Sequence, residues 1–362
     1  MSLLRSSVCR ACRRSQQIRW HRGLATASNQ SYDNRVRLVE VGPRDGLQNE
    51  KKAIPLETKI ELIERLARTG VSTIEAGSFV APKWVPQHIL DGKVSSPGPI
   101  SYSFLAPNGK GLKSAADVLS ANSGKFATQL EPASGAAAAT KPAVEVAVFA
   151  AATESFTQKN LNCDIKTSLE RFKEVIRDSK AIGLRVRAYI SVVLGCPFEG
   201  FDVDPHKVAE IATDLLEAGA DEISLGDTTG MGTAPRTGAL LQCMSAAGIR
   251  TEDIAMHFHD TYGQALVNTA VSLEHGIRTF DSSVGGLGGC PYSPGATGNV
   301  STENMVYFME TLGMDTGINL DAMSDIGDWI TKELGKENGS TVGKAVLGAR
   351  TRAMQRKAKE EA

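Results

Sequence analysis

From residue 36 onward one phrase recurs along the chain: a short β-branched run, a longer amphipathic segment, a glycine, and the next short run. Eight such runs read as strands, at 36–41, 72–75, 100–105, 144–149, 186–191, 222–225, 254–258 and 278–282. Between them, apolar positions at helical spacing predict helices near 56–69, 108–121, 165–182, 205–218, 235–247 and 262–275, several closed by Gly70, Gly183, Gly219 or Gly276. Strands joined through helices pair in parallel, because a helix carries the chain back to the starting edge of the sheet. Eight units of this kind predict an α/β fold, a (βα)8 TIM barrel, better than an open doubly wound sheet. Residues 303–348 read as extra C-terminal helices outside the barrel, so the barrel domain is expected over 33–348, with 349–362 a charged, frayed tail. The rhythm breaks at about 124–142, where an Ala-rich, low-complexity stretch reads as an insertion on the N-terminal face, away from the chemistry.

Charge is unevenly spread. The chain of 362 residues has a formal net charge of −1, which excludes nucleic-acid binding through bulk positive charge. Residues 1–32 hold Arg5, Arg10, Arg13, Arg14, Arg19 and Arg22 with no lysine and no acid, so the remainder carries −7. An Arg-rich, Ser-rich, acid-free leader without a continuous apolar run predicts a mitochondrial transit peptide over 1–32 and a matrix location; a basic tail on a cytosolic protein is the alternative. No run of 18 apolar residues predicts a membrane span. Six cysteines, two of them in the leader, imply no disulfide framework.

The residues with chemical potential fall at the C-terminal ends of the predicted strands, where barrel enzymes build their sites. Arg44 and Asp45 follow the first strand, Glu75 ends the second, Tyr189 lies late in the fifth, and Asp227 follows the sixth. His257 and His259 end the seventh; two apart in a strand, their side chains share a face and can reach one ion. Asp45 adds a carboxylate and Asn299 an amide oxygen, a donor set suited to a divalent cation, Mg²⁺ or Mn²⁺, with zinc an alternative. Arg44 supplies a permanent charge suited to a developing enolate, or merely an ion pair that stiffens its loop. Glu75 and Asp227 are candidates for orienting this site or carrying a proton. Cys290 sits between Gly285-Gly286-Leu287-Gly288-Gly289 and Gly295, on a loop free to move, and is a candidate acid or base. Lys51 and Asn108, beyond strands one and three, are further candidates for substrate contact, with Tyr189; a solvated loop is the alternative for both.

The stretches Val41–Glu50 (VGPRDGLQNE) and His257–Gly263 (HFHDTYG) resemble the metal-dependent aldol and Claisen TIM-barrel lyases. Within that group, Ser283–Tyr292 (SVGGLGGCPY), Gly295–Asn299 (GATGN), Ser78–Gln87 and Leu194–Gly200 are similar to the 3-hydroxy-3-methylglutaryl-CoA lyases, and the likeness covers about 36–330 apart from the Ala-rich insertion. The resemblance implies cleavage of (S)-3-hydroxy-3-methylglutaryl-CoA to acetoacetate and acetyl-CoA, in leucine breakdown and ketone-body formation, by a homodimer. It also implies that Asp45, His257, His259 and Asn299 hold the metal, Arg44 steadies the enolate, Cys290 delivers a proton, and His257 or Asp45 acts as base. A synthase condensing a 2-oxo acid with acetyl-CoA, and a catalytically silent barrel, are the alternatives.

Overall fold

The structure, a computed structural model, describes residues 34–361 apart from 49, 51, 81–83, 93, 95, 97, 99, 128–140 and 290–296. The expected leader and most of the Ala-rich insertion therefore lie outside the described residues.

Eight strands, β1 (Arg37–Glu40), β2 (Thr73–Ser78), β3 (Ser101–Leu105), β4 (Ala143–Ala151), β5 (Arg185–Ser191), β6 (Glu222–Asp227), β7 (Ile254–Phe258) and β8 (Thr279–Ser282), close into one barrel. Every neighbouring pair is parallel, and β1 meets β8 with Arg37 opposite Thr279 and Glu40 opposite Ser282. The fold expected from the sequence is thus the fold found. All six residues of β6 are buried, as in a sheet covered by helices outside and filled by side chains within.

The helices are α1 (Leu56–Leu66), α2 (Trp84–Leu90), α3 (Gly109–Ala121), α4 (Glu154–Leu161), α5 (Ile165–Ala181), α6 (Pro205–Glu217), α7 (Ala234–Ala246), α8 (Ala265–Glu274), α9 (Thr302–Thr311), α10 (Leu320–Glu333) and α11 (Thr341–Glu360). Caps explain several starts. Asn108 accepts from Gly111 N–H at 3.0 Å, Asp164 from Thr167 N–H at 2.6 Å and Ser340 from Gly343 N–H at 2.9 Å. Gly70 follows α1 at φ +97°, where a Cβ would run into the Gly317 carbonyl oxygen, so only glycine fits. Two helices escape the sequence reading: α2 carries Pro86, and α4 is one short, polar helix of eight residues. The tail expected from 349 instead continues α11 as helix through Glu360, because residues 349–360 contain no glycine or proline and are rich in good helix formers. Among the described residues no helix is long and apolar enough to cross a membrane.

Two buried acids brace the turn after β8. Glu40 accepts from Gly42 N–H at 2.8 Å, Val284 N–H at 3.0 Å and Thr302 Oγ1 at 2.6 Å. Glu303 accepts from Gly285 N–H through both oxygens, at 3.1 and 3.0 Å. Burial outweighs these bonds and pushes Glu40 up to about 7 and Glu303 up to about 8. A carboxyl that titrates higher when folded keeps a proton that the unfolded chain has already released. Its contribution to stability therefore falls as pH rises from about 4.5 to about 8 and is level on either side. In Glu303→Gln that contribution disappears, on the order of a few kcal/mol. Melting temperatures of the variant are expected to decline less between pH 5 and pH 8 than those of the parent. Equal declines would mean that Glu303 is ionised in the fold throughout that range.

Candidate active site and metal centre

Beyond β1 the chain makes a tight turn, Gly42–Gly46, in which the amides of Arg44, Asp45 and Gly46 all point at the Val41 carbonyl, at 3.2, 2.8 and 3.2 Å. Pro43 sets the entry of this turn and its tightness presents Arg44 and Asp45 together at the barrel mouth. The Arg44 guanidinium donates to Asp45 Oδ1 at 2.9 Å, to Glu75 Oε2 at 2.6 Å and to Gln48 Oε1 at 3.3 Å. Glu75 is fully buried in β2, just before the irregularity that shifts the register between Glu75 and Gly77. Burial disfavours the Arg44 charge, but the carboxylates of Glu75 and Asp45 more than compensate, so the group is a cation at every working pH.

Across the mouth stand the histidines. His257 lies in β7 and His259 just beyond it, where Asn299 bridges back to His259 and Val300 N–H donates to the Phe258 carbonyl at 3.0 Å. This return of the chain brings an amide 40 residues downstream against the seventh strand. Asn299 Nδ2 donates to Asp45 Oδ2 at 2.9 Å and to the Leu287 carbonyl at 3.2 Å. Ligand-type atoms of Asp45, His257 and His259 all lie within 4.8 Å of one another, the geometry of a metal site. Two further observations fit a cation here. His259 Nδ1 and Asn299 Oδ1 are buried without a hydrogen-bond partner among the described residues, and a buried polar atom left so demands an explanation.

The electrostatics of His259 and Asp45 agree with that donor set, whereas at His257 burial lowers the imidazole but the Asp281 carboxylate, with Asp45, more than offsets it and raises the group above its ordinary value. Burial, reinforced by His257, holds the His259 imidazole down at about 4, so it stays neutral and offers a lone pair at physiological pH. Burial would lift Asp45, but Arg44, His257, His259 and the Asn299 amide together hold it at about 2, an anion throughout. Asp227, wholly buried beneath the mouth, accepts from Gly232 N–H at 2.8 Å through Oδ2 while its backbone carbonyl accepts from His259 N–H at 3.3 Å. Burial pushes its carboxyl up to about 6.

A cavity of about 150 Å³ lies over these groups, lined by Arg44, Asp45, Tyr189, His257 and His259 with Phe149 among its apolar walls. It adjoins a wider cleft of about 500 Å³ with which it shares Arg44, Gln48, Leu105 and Phe149.

Of the residues singled out from the sequence, Arg44, Asp45, Glu75, Tyr189, His257, His259 and Asn299 converge on one mouth. Asp227 supports the loop below it, and Asn108 caps α3 with an exposed side chain. Cys290 and Lys51 lie outside the described residues. The sequence reading passes over Arg187 and Asp281, both buried in strands beneath the same mouth, with Arg187 Nη2 donating to Asp281 Oδ1 at 2.6 Å and His257 Nδ1 lying 3.1 Å from Asp281 Oδ2. A signal was present: Arg187 stands two residues before Tyr189 and so on the same face of β5, and a charged side chain on an inward face is uncommon without a partner.

The HMGL-like family matches residues 35–330. The chain is 49% identical over 318 residues to a 3-hydroxy-3-isohexenylglutaryl-CoA/hydroxy-methylglutaryl-CoA lyase of Pseudomonas aeruginosa, covering 86% of this chain and 97% of that one. It is 44% identical over 331 residues to the mitochondrial hydroxymethylglutaryl-CoA lyase of Bos taurus, covering 90% and 93%. Among solved structures, a hydroxymethylglutaryl-CoA lyase from Pseudomonas aeruginosa superimposes with a TM-score of 0.76 at 47% identity, covering 87% of this chain and 98% of that one.

Proposed function

Because the chain belongs to the HMGL-like family, we propose that it is a metal-dependent carbon–carbon lyase cleaving (S)-3-hydroxy-3-methylglutaryl-CoA to acetoacetate and acetyl-CoA. The observation that carries this reading is the meeting of Asp45, His257 and His259 within 4.8 Å, with the Arg44 guanidinium 2.9 Å from Asp45. Asp45, His257, His259 and Asn299 would hold a divalent cation, Mg²⁺ or Mn²⁺, which when bound supplies Lewis acidity to the oxygens of the substrate.

The chain's own residues then have distinct tasks. Asp45, whose carboxylate keeps further lone pairs whereas the one free lone pair of His257 would be given to the cation, takes the proton of the tertiary hydroxyl, so that the oxygen pair forms the ketone of acetoacetate as the C2–C3 bond breaks. The electron pair of that bond passes into the thioester as the acetyl-CoA enolate. Arg44, fixed by Glu75 and Asp45 before substrate arrives, offers its charge where the enolate oxygen develops and needs no reorganisation to do so. A proton delivered to C2 completes acetyl-CoA, and Cys290 is assigned to that delivery on the family resemblance. Phe149 and Leu105 give the cavity apolar walls that limit water around the enolate. The same proposal places the enzyme in the mitochondrial matrix, with the Arg-rich leader and the mitochondrial relative as support, and takes it to be a homodimer.

The test is to incubate protein beginning at residue 33 with Mg²⁺ or Mn²⁺ and 3-hydroxy-3-methylglutaryl-CoA and to measure acetoacetate. Metal-dependent product is expected, falling strongly in Cys290→Ala and His257→Ala. Folded, metal-loaded protein that forms no acetoacetate, but consumes acetyl-CoA when given a 2-oxo acid, would replace the lyase by a condensing synthase.

A further inference from the structure

We infer that Arg187 is a positioning residue of this site, a cation that holds both of its halves in register, and that it does so through Asp281 on one side and Tyr189 on the other. The inference rests on the lyase reading for its kinetic half only; its metal-binding half stands on the geometry.

Arg187 is 1% exposed and its guanidinium fork is spent on three partners. Nη2 donates to Asp281 Oδ1 at 2.6 Å, Nη1 donates to Tyr189 Oη at 3.2 Å, and Nε lies 2.8 Å from Glu222 Oε1. Each partner leads onward. Asp281 Oδ2 receives Ser224 Oγ at 2.9 Å and faces His257 Nδ1 at 3.1 Å. An ionised carboxylate only accepts, so Nδ1 carries the ring proton and Nε2 is left with the lone pair that a cation needs.

The other arm runs through Tyr189. Its hydroxyl, accepting from Arg187, donates to Glu75 Oε2 at 3.2 Å, and that same oxygen receives Arg44 Nη2 at 2.6 Å. The direction of every proton in this chain is fixed by the fact that Arg187 can only donate. The ring of contacts therefore runs from Asp45 through Arg44, Glu75, Tyr189, Arg187 and Asp281 to His257, and Arg187 lies where the enolate-stabilising arm meets the metal-binding arm. It also sits beneath both, since Glu222 is at the opposite end of β6 from Asp227 and ties the fork toward the barrel floor.

A residue that only filled the barrel would be replaceable by any cation or apolar group of similar volume without a specific effect on the mouth. A positioning residue predicts a defined pair of losses. In Arg187→Met, binding of Mn²⁺ followed by electron paramagnetic resonance of the free ion is expected to weaken by about 10- to 100-fold, the scale for removing a partner that orients a metal ligand. At saturating Mn²⁺, kcat for 3-hydroxy-3-methylglutaryl-CoA is expected to fall by a similar factor with KM changed less than about threefold, since geometry and not substrate contact is lost. Arg187→Lys keeps the charge but not the fork and is expected to fall between the two in both readings. Removing a buried cation leaves Asp281 and Glu222 uncompensated, so Arg187→Met is paired with the isosteric Asp281→Asn, whose melting temperature is checked first; it too is expected to weaken Mn²⁺ binding by about 10- to 100-fold. Mn²⁺ affinities within threefold of the parent in the folded variants would overturn the proposal. If the parent binds Mn²⁺ but releases no acetoacetate from 3-hydroxy-3-methylglutaryl-CoA, the lyase reading fails while the Mn²⁺ arm still judges this one.

Discussion

Arg44→Met is expected to lower kcat by about 10³-fold or more, with KM changed far less and the protein still folded and able to bind Mn²⁺. Removing one preorganised donor from a developing oxyanion costs about 10²–10³ in kcat, and here a full charge goes with it. The loss should be large because the guanidinium is held ready, 13% exposed and bonded to Glu75 at 2.6 Å and Asp45 at 2.9 Å, so none of its effect is spent on finding the right position. Steady-state kinetics at saturating Mn²⁺, with circular dichroism to confirm the fold, measure it. A decrease below tenfold would leave Arg44 as an ion pair that stiffens the turn after β1.

Chelation is expected to abolish turnover, leaving less than about 0.1% of the initial rate, given what a Lewis acid contributes to such chemistry. Mn²⁺ or Mg²⁺ should restore the parent fully and His259→Ala very little. The reason lies in His259 itself: buried, neutral above about pH 4 and with Nδ1 unpartnered among the described residues, its ring has a lone pair to give to a cation. Dialysis against a chelator, metal analysis and an acetoacetate assay on each form decide the matter. Activity that survives complete metal removal would sink the metal-dependent reading and leave the pair of histidines as a hydrogen-bonding site.

The strands were readable because parallel strands buried on both faces are largely apolar runs rich in valine and isoleucine, as in AVEVAVFAA of β4 with its single acid Glu145. Positions at their C-terminal ends then carried the polar residues, and the periodicity of a strand alone was enough to put His257 and His259 on one side. The misses have equally physical causes. Pro86 hides α2 from a helical reading, and α4, with Thr157, Gln158 and Asn160, shows little amphipathic contrast. Asp281 sits mid-strand in TFDS, where nothing local distinguishes a structural acid from one that holds a histidine. Its meaning comes from a partner 94 residues earlier, Arg187, and from the register that sets His257 opposite Asp281 across β7 and β8. Such information belongs to the closed barrel and to no segment of the chain. Cys290, the residue with the most specific sequence context, lies outside the described residues, so its assignment still rests on that context.

The turn that follows β8 is held from behind. Gly285, at φ +65°, gives its amide to Glu303 and its carbonyl to the Gly339 amide at 2.9 Å, while Glu303 is cradled so closely that a Cβ at Gly327 would collide with its Oε1. Positions 285, 303, 327 and 339 come from the end of the barrel, from α9, from α10 and from the approach to α11. No one of them can drift freely while the others stay fixed. The outermost helices and the catalytic face are thereby bound into a single unit of variation, and an exchange of C-terminal segments between related chains would have to carry all four positions together.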